Sequence, residues 1–520
     1  MSKQNIVFKP YQYNPQMLLP PSFDELIDKH HPVRLVQKVI AQIDLDPLLK
    51  AYKGGGTSSY HPRMLLSAVV FAYLSNTYSS RKIEAALKEN IHYMWLTGMS
   101  MPDHNTINRF RSSRLKNVIK EIFAKVVTLL VEEQLLSLEE VYTDGTKIEA
   151  NANKYTFVWG KAIKTQKEKI AKQLEELWNY TQKVAVEELK DTAPIDFKNI
   201  DAAKVKEVVE KIDEALKDKV VEKKTSDQIK KAKTNFIPRL EKYAQQEAIM
   251  GNRNSYSKTD TDATFMRMKE DHMLNGQLKA GYNLQASSCG GKKIFCVNYT
   301  IHQKPTDTTT LISHLDQYKN LYGTFPKTVT ADAGYGSHEN YQYLQDNNID
   351  AYVKYNTFHQ KQKCQAEYKK GFKSMELYYN KEQDCYYCPM GQRMSCTGTS
   401  TRTTENGYQQ NIKKYQAQNC NGCPLRGVCH QSKTNRTIEV NHELVRLKNK
   451  AKENLLSETG IEHRKKRCYT IEPVFACIKQ NKNFKRFLLR SLPKVNIEAG
   501  LCLIGFNIKQ KSLLLKQKRA

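Results

Sequence analysis

A chain of 520 residues is long enough for several domains and a large buried core. Its 82 Lys and Arg against 54 Asp and Glu leave a formal charge of +28 and a pI near 9.4. The expected partner is therefore a polyanion, because basic groups on phosphates release condensed counterions. No segment is shaped to span a membrane, since the longest apolar stretch, Met64 to Leu74, is too short to cross one. The opening MSKQNIVFKPYQYN lacks the basic start, apolar run and cleavage site of a signal peptide. A cytoplasmic, nucleoid-associated location is expected, with the 12 cysteines reduced or metal-bound.

Residues 1–135 read as a helical domain, with apolar residues at helical spacing in Pro32 to Leu49, Pro62 to Thr77 and Leu115 to Leu136. Within it, SRKIEAALKEN from Ser80 predicts a short amphipathic helix, broken at Gly98 and Pro102. Asp103 then reads as the N-cap of a second helix, DHNTINRFRSSRL, which presents Asn105, Asn108, Arg109 and Arg111. Two short helices, the second basic and polar, suit a helix-turn-helix on a DNA groove; a plain helical bundle with a solvated face fits the pattern as well.

Residues 136–159 hold a strand candidate, Val141 to Ile148, with Asp144 in a β-branched and aromatic run. Residues 160–250 are dominated by Lys and Glu with leucines and isoleucines at helical spacing, which predicts a long charged helical hairpin inserted in the domain. In residues 251–358, Gly281 to Ser288 and Lys293 to Ile301 predict a hairpin, and Asp307 caps a helix over Thr308 to Leu321. Thr328 to Asp332 is a short buried strand, Ser337 to Asp346 a helix, and Asp350 to Tyr355 a further strand. This alternation indicates an α/β sheet. Residues 359–440 are cysteine-rich and loop-rich, and 441–520 return to helices, including Pro473 to Leu489 and Lys494 to Ile508.

Three carboxylates carry the chemistry: Asp144 in the first strand, Asp332 at the C-terminal end of a later one, and Glu472 at the opening of a helix. Strand ends on an α/β sheet are where functional groups converge. Cleaving a phosphodiester without a protein nucleophile needs an activated water and a stabilised leaving oxygen. Two divalent ions roughly 3.5–4 Å apart supply both, and hard Mg²⁺ or Mn²⁺ requires oxygen ligands. Glycines follow both aspartates, in Asp144-Gly145 and Asp332-Ala333-Gly334, leaving room for close backbone approach.

These contexts resemble the DDE transposases of bacterial insertion sequences, in the branch with a cysteine-rich insertion. The matching stretches are YTDGTKIEANANKYTFVWGKA, TADAGYGSHENYQYL and RCYTIEPVFACIKQNKNFKRFLLRSLPKVNIE. The resemblance implies a ribonuclease H-like catalytic domain, with Asp144 and Asp332 on its sheet and Glu472 on a helix after the insertion. It further implies binding of inverted-repeat ends in double-stranded DNA, metal-dependent nicking, and strand transfer by the freed 3′ hydroxyl. Two subunits are expected to act together as a homodimer, since two element ends must be cut. Related transposases use a Tyr-Arg-Glu-Lys pattern in which the basic residues hold end phosphates. Lys479, two helical turns after Glu472, fits the lysine, and Asn483 continues its face. The arginine position is Cys468 and the tyrosine position Lys465, with Arg467 and Tyr469 close by as substitutes.

By spacing alone, Cys385/Cys388 and Cys420/Cys423 suit a tetrahedral Zn²⁺, which gives a loop-rich segment its fold. The resemblance implies a different set, Cys388, Cys420, Cys423 and Cys429, with Cys385 as the alternative ligand. Cys289, Cys296, Cys477 and Cys502 sit in apolar contexts and read as core residues. No GxxxxGK[ST] loop indicates a nucleotide cofactor, and neither a GxSxG elbow nor an HExxH helix occurs. The rival readings are a non-transposing nuclease on the same fold and a DNA-binding regulator with a dead active site.

Overall fold

The computed structural model describes residues 22–518 except 51, 53–58, 186–194, 198–199, 218, 220, 222, 270–275, 292, 359–371 and 405. It forms two compact units, Met1–Val118 with Ile508–Ala520, and Ile119–Asn507.

The first unit is helical. Pro32–Gln42 and Pro62–Leu74 both start on a proline, whose missing N–H is harmless at that position, and His31 and His61 cap them by accepting from Val33 N and Arg63 N. Pro62–Leu74 is buried along nearly its whole length, as its unbroken apolar run requires. The expected pair of helices is present as Ser80–Glu89 and His104–Arg109, but a further helix, Ile91–Thr97, lies between them. Gly98 ends that helix in the left-handed conformation, at φ 56°. Asp103 is the N-cap foreseen, accepting from Thr106 N at 2.8 Å. The helix Ile119–Glu132, grouped with this domain by sequence, belongs to the second unit.

The second unit is a mixed α/β structure. Its strands are β1 Glu140–Glu149, β2 Phe157–Trp159, β3 Ser255–Ser257, β4 Thr264–Arg267, β5 Leu278–Cys289, β6 Phe295–His302, β7 Thr328–Ala331 and β8 Asp350–Val353. The main sheet runs β4-β5-β1-β7-β8, with β6 also on β5. The β1/β5, β5/β6 and β4/β5 pairs are antiparallel, and β1/β7 and β7/β8 are parallel. Parallel neighbours need crossovers, and helices Leu311–Tyr322 and His338–Asp346 lie between β6, β7 and β8. The first buries Leu311, His314, Leu315 and Tyr318, one helical face.

The β2/β3 pair, with Val158 opposite Tyr256, closes the base of the charged insertion. Instead of one helical hairpin, the insertion contains Gly160–Val184, Ala202–Leu216, Lys223–Lys231 and Ile237–Met250. Their core is built of Ile170, Leu174, Val205, Val209, Ala232, Phe236 and Leu240, with Ile229 of Lys223–Lys231 packed against it. The cysteine-rich stretch is also more ordered than its composition suggests. It holds β9 Tyr378–Asn380, β10 Cys385–Tyr387, β11 Arg393–Thr403, β12 Gln409–Ala417 and β13 Thr437–Val440, in the order β13-β12-β11-β10-β9. Tyr386, Met394, Tyr415, Ile438 and Val440 give this small sheet an apolar core.

Helices His442–Leu456 and Glu458–Thr470 follow, then the short helix Glu472–Ala476, which loosens into a π-helical turn at Cys477–Asn481. The predicted helix to Leu489 therefore stops early. Asn483 takes φ 50°, and the chain then runs beside the end of β1, where Phe487 N donates to Glu149 O at 2.9 Å and Glu149 N to Lys485 O at 3.2 Å. Asn483 consequently does not extend a helical face. The last helix, Leu492–Gln517, is longer than predicted at both ends.

Candidate active site

The sheet register brings the two aspartates together. In the parallel β1/β7 pair Thr143 lies opposite Ala331, so Asp144 and Asp332, each one residue further on, emerge side by side at the C-terminal end of β7. The β7/β8 register, Ala331 opposite Val353, likewise sets Lys354 beside Asp332, with Nζ 3.8 Å from Oδ1. Lys354 was missed by sequence reading, although strand register alone would place it here once β7 and β8 are paired.

The glutamate arrives by a different route. Tyr142 and Asp144 share one face of β1, two residues apart, while His463 and Arg467 share one face of the helix Glu458–Thr470, four apart. The two pairs meet: Tyr142 Oη and His463 Nδ1 share a hydrogen bond of 3.0 Å, and Arg467 Nη1 donates to Asp144 Oδ2 at 3.1 Å. That helix ends at Thr470, and Glu472 opens the next one. Arg467 Nη2 lies 3.5 Å from Glu472 Oε1 and 3.9 Å from Asp332 Oδ2. One guanidinium thus touches all three predicted carboxylates, and its side chain is only 8% exposed.

Burial separates the three acids. Asp144 is the most enclosed, with its side chain 23% exposed against 47% for Asp332 and 54% for Glu472. Burial pushes the Asp144 carboxyl up to about 6; Arg467 and the Gly145 N–H act against this, and the negative charges of Asp332 and Asp307 add to it. Arg467 is raised, because the three carboxylates together outweigh the burial that disfavours its charge.

Asp307 is not the helix cap predicted. The helix begins at Leu311 with no side-chain cap, and the Asp307 carboxylate instead accepts from Asn283 Nδ2 and Gln285 Nε2, both at 2.7 Å. This polar cluster fills the space that Gly145 leaves. A Cβ on Gly145 would fall 2.4 Å from Gln285 Nε2 and 2.6 Å from Asp307 Oδ1. The glycine after Asp144 therefore makes room for neighbouring side chains.

Asp144, Asp332 and Glu472 are hard oxygen donors gathered around one buried cation, so the donor set fits a divalent ion. No group of three or more His, Cys, Asp or Glu placed to hold a metal ion occurs among the described residues.

Other predicted residues fall elsewhere. Lys479 lies half-buried on the π-helical turn, and burial, with Lys269 and Lys147 nearby, lowers its ammonium to about 8. In the first unit Arg109 is exposed beside Asn105 and Asn108, as predicted. Arg111 does not share that exposed face. It is buried, and its Nη1 donates to Tyr73 Oη at 3.1 Å and Tyr78 O at 2.5 Å, so its donors serve the unit's interior instead of a groove. The π-helical turn Phe110–Arg114 rotates it inward.

Cys388, Cys420, Cys423 and Cys429 all line one small cavity of the cysteine-rich sheet, and Cys385 does not. Cys388 Sγ accepts from Gln392 N and Cys420 Sγ from Arg436 N, both at 3.3 Å, while Arg436 Nη1 donates to Cys429 Sγ at 2.7 Å. His430, which sequence reading passed over, lines the same cavity with both ring nitrogens buried and without a hydrogen bond among the described residues. Cys289, Cys296 and Cys502 are buried as expected, and Cys477 is half-buried.

Residues 387–511 match a family model described as a transposase DDE domain, and residues 21–113 match a second, the transposase domain DUF772. The first match includes Glu472 and the four cavity cysteines, and the second includes Arg109 and Arg111. Asp144 and Asp332 lie outside both, so their place in the site rests on strand register. No curated protein and no solved structure matches the chain. Both family matches are to transposase domains, and together they support a DDE transposase.

Proposed function

We propose that the chain binds the inverted-repeat ends of an insertion sequence, cleaves the DNA there by two-metal hydrolysis, and joins the freed 3′ hydroxyl to target DNA. The observation that carries this reading is the meeting of Asp144, Asp332 and Glu472 around Arg467, from three separate parts of the sequence. These carboxylates would hold Mg²⁺ or Mn²⁺, with Asp144 shared between two ions. Such ions activate water and stabilise the leaving oxygen. The strand order and the DDE match support a ribonuclease H-like core.

Lys479, half-buried among other lysines, suits an end phosphate, because an anion there relieves like-charge repulsion. Arg109, with Asn105 and Asn108, is the exposed polar face of the first unit that would contact DNA. A structural zinc would take its ligands from Cys388, Cys420, Cys423 and Cys429, which line one cavity. Cutting two ends calls for a homodimer in the active complex. The test is incubation of the full chain with end DNA, unrelated DNA and Mg²⁺. Nicking at the element boundary followed by joined products supports a transposase, and cutting of both DNAs without joining points to a plain nuclease.

A further inference from the structure

Arg467 is bonded differently from Arg253, which backbone carbonyls hold. Arg253 uses its whole guanidinium, with Nε to Met250 O at 3.0 Å, Nη1 to Thr261 O at 2.9 Å and Nη2 to Ile249 O at 2.5 Å. Arg467 is more buried yet makes one hydrogen bond of ordinary length, to Asp144, and a long one to Glu472 at 3.5 Å. Its Nε–H is buried with no hydrogen-bond partner among the described residues, as are those of Arg111 and Arg464. What gathers around it is charge: three carboxylates from β1, from the residue after β7, and from the next helix. A planar fork held by several short hydrogen bonds would resist removal, whereas a cation held by one such bond and by carboxylates at 3.5–3.9 Å is more readily replaced.

We propose that Arg467 is a built-in counter-ion of the metal-free site, and that it competes with divalent ions for Asp144, Asp332 and Glu472. This rests on the reading of those carboxylates as metal ligands. Without an ion, three acids at one strand end would repel one another and splay. The guanidinium keeps them gathered, and it must leave the cluster for the ions to bind. Its position five residues before Glu472, across the helix break at Ile471, ties it to the element that carries one ligand. Arg467 is thus a positioning residue for the empty site, distinct from the ligands themselves.

The test is calorimetric titration of Mn²⁺ into the metal-free full chain at pH 8, comparing the native protein with Arg467→Gln and Arg467→Lys. Apparent affinity falls in proportion to the fraction of molecules competent to bind, so an arginine engaged nine-tenths of the time weakens binding about tenfold. Arg467→Gln should therefore bind Mn²⁺ about tenfold more tightly, and Arg467→Lys, which keeps the charge without the fork, should fall between. Melting in EDTA should show Arg467→Gln less stable than native, with the gap narrowing when Mn²⁺ is added. A merely structural arginine would leave Mn²⁺ affinity unchanged or weaker and the melting gap constant, which overturns the proposal. If Arg467→Gln does not fold, an Arg467→Lys affinity equal to native overturns it. If no form binds Mn²⁺, the metal reading of the carboxylates fails with it.

Discussion

Arg467 reaches Asp144 at 3.1 Å across 323 residues of sequence. The contact is fixed by a second rung beneath it, Tyr142 to His463, so a strand period of two is matched to a helix period of four. The match holds the arginine over the most buried of the three carboxylates.

A pH dependence follows from that burial. The Asp144 carboxyl titrates near 6 when folded, above its ordinary 3.8, so the folded chain holds the proton more tightly than the unfolded one between those values. Stability from this group is therefore lost as pH rises from about 4 to about 6, and stays lost above. Asp144→Asn removes the titration. In EDTA, the variant should gain on the native protein by on the order of 2 kcal/mol between pH 4 and pH 7. Urea unfolding at both pH values measures it, and a difference independent of pH contradicts the assignment.

Gly145 admits no side chain. Gly145→Ala places a methyl carbon against Gln285 and Asp307 in a buried cluster that cannot retreat freely. A loss of about 1–3 kcal/mol is expected from such overpacking, with a fall in DNA cleavage because Asp144 is the preceding residue. Gly334→Ala, whose new carbon would lie 3.5 Å from Asp307 Oδ2, is the mild control. Chemical denaturation of the two variants should separate them clearly.

Arg109 and Arg111 should fail in different ways. Arg111→Ala strips buried hydrogen bonds from Tyr73 and Tyr78 and should cost about 1–3 kcal/mol of stability. Arg109→Ala should leave melting unchanged, weaken DNA binding, and reduce the slope of log affinity against log salt by about 1. If Arg111→Ala melts like the native protein and only DNA binding falls, the inward placement of Arg111 is wrong.

Much of this arrangement was legible in sequence, and the misses have two causes. Asp144 and Asp332 stood out because each lies in or at the end of a short strand pattern followed by glycine, and Asp103 behaved as the cap it resembles. Asp307 was misread because an Asp before Thr-Thr-Thr looks like a cap, while its true partners, Asn283 and Gln285, are on β5 and reachable only by folding. Arg467 was judged by its offset from Glu472 along one ideal helix. The actual chain breaks at Ile471 and loosens at Cys477–Asn481, so counting in steps of 3.6 fails there. Arg111 was lost to the same kind of π-helical turn.

The cysteine module offers a test of its own. If Zn²⁺ is held by the thiols of the shared cavity, Cys388→Ser, Cys420→Ser, Cys423→Ser and Cys429→Ser should each lower bound zinc, and Cys385→Ser should not. Metal analysis of purified protein decides it. Zinc lost only with Cys385→Ser would restore the pairing by CxxC spacing, and zinc absent from the native chain would remove the site.

Asp144, Asp332 and Glu472 are proposed to act as one catalytic cluster. The most direct measurement is Mg²⁺- or Mn²⁺-dependent cleavage of end DNA by the native chain, Asp144→Asn, Asp332→Asn and Glu472→Gln, with DNA binding followed in parallel. Each variant should still bind the ends while cleavage falls by about 10²–10³-fold, the scale expected when transition-state charge stabilisation is removed. A folded variant that binds and cuts at the native rate would take its residue out of the site and contradict the account.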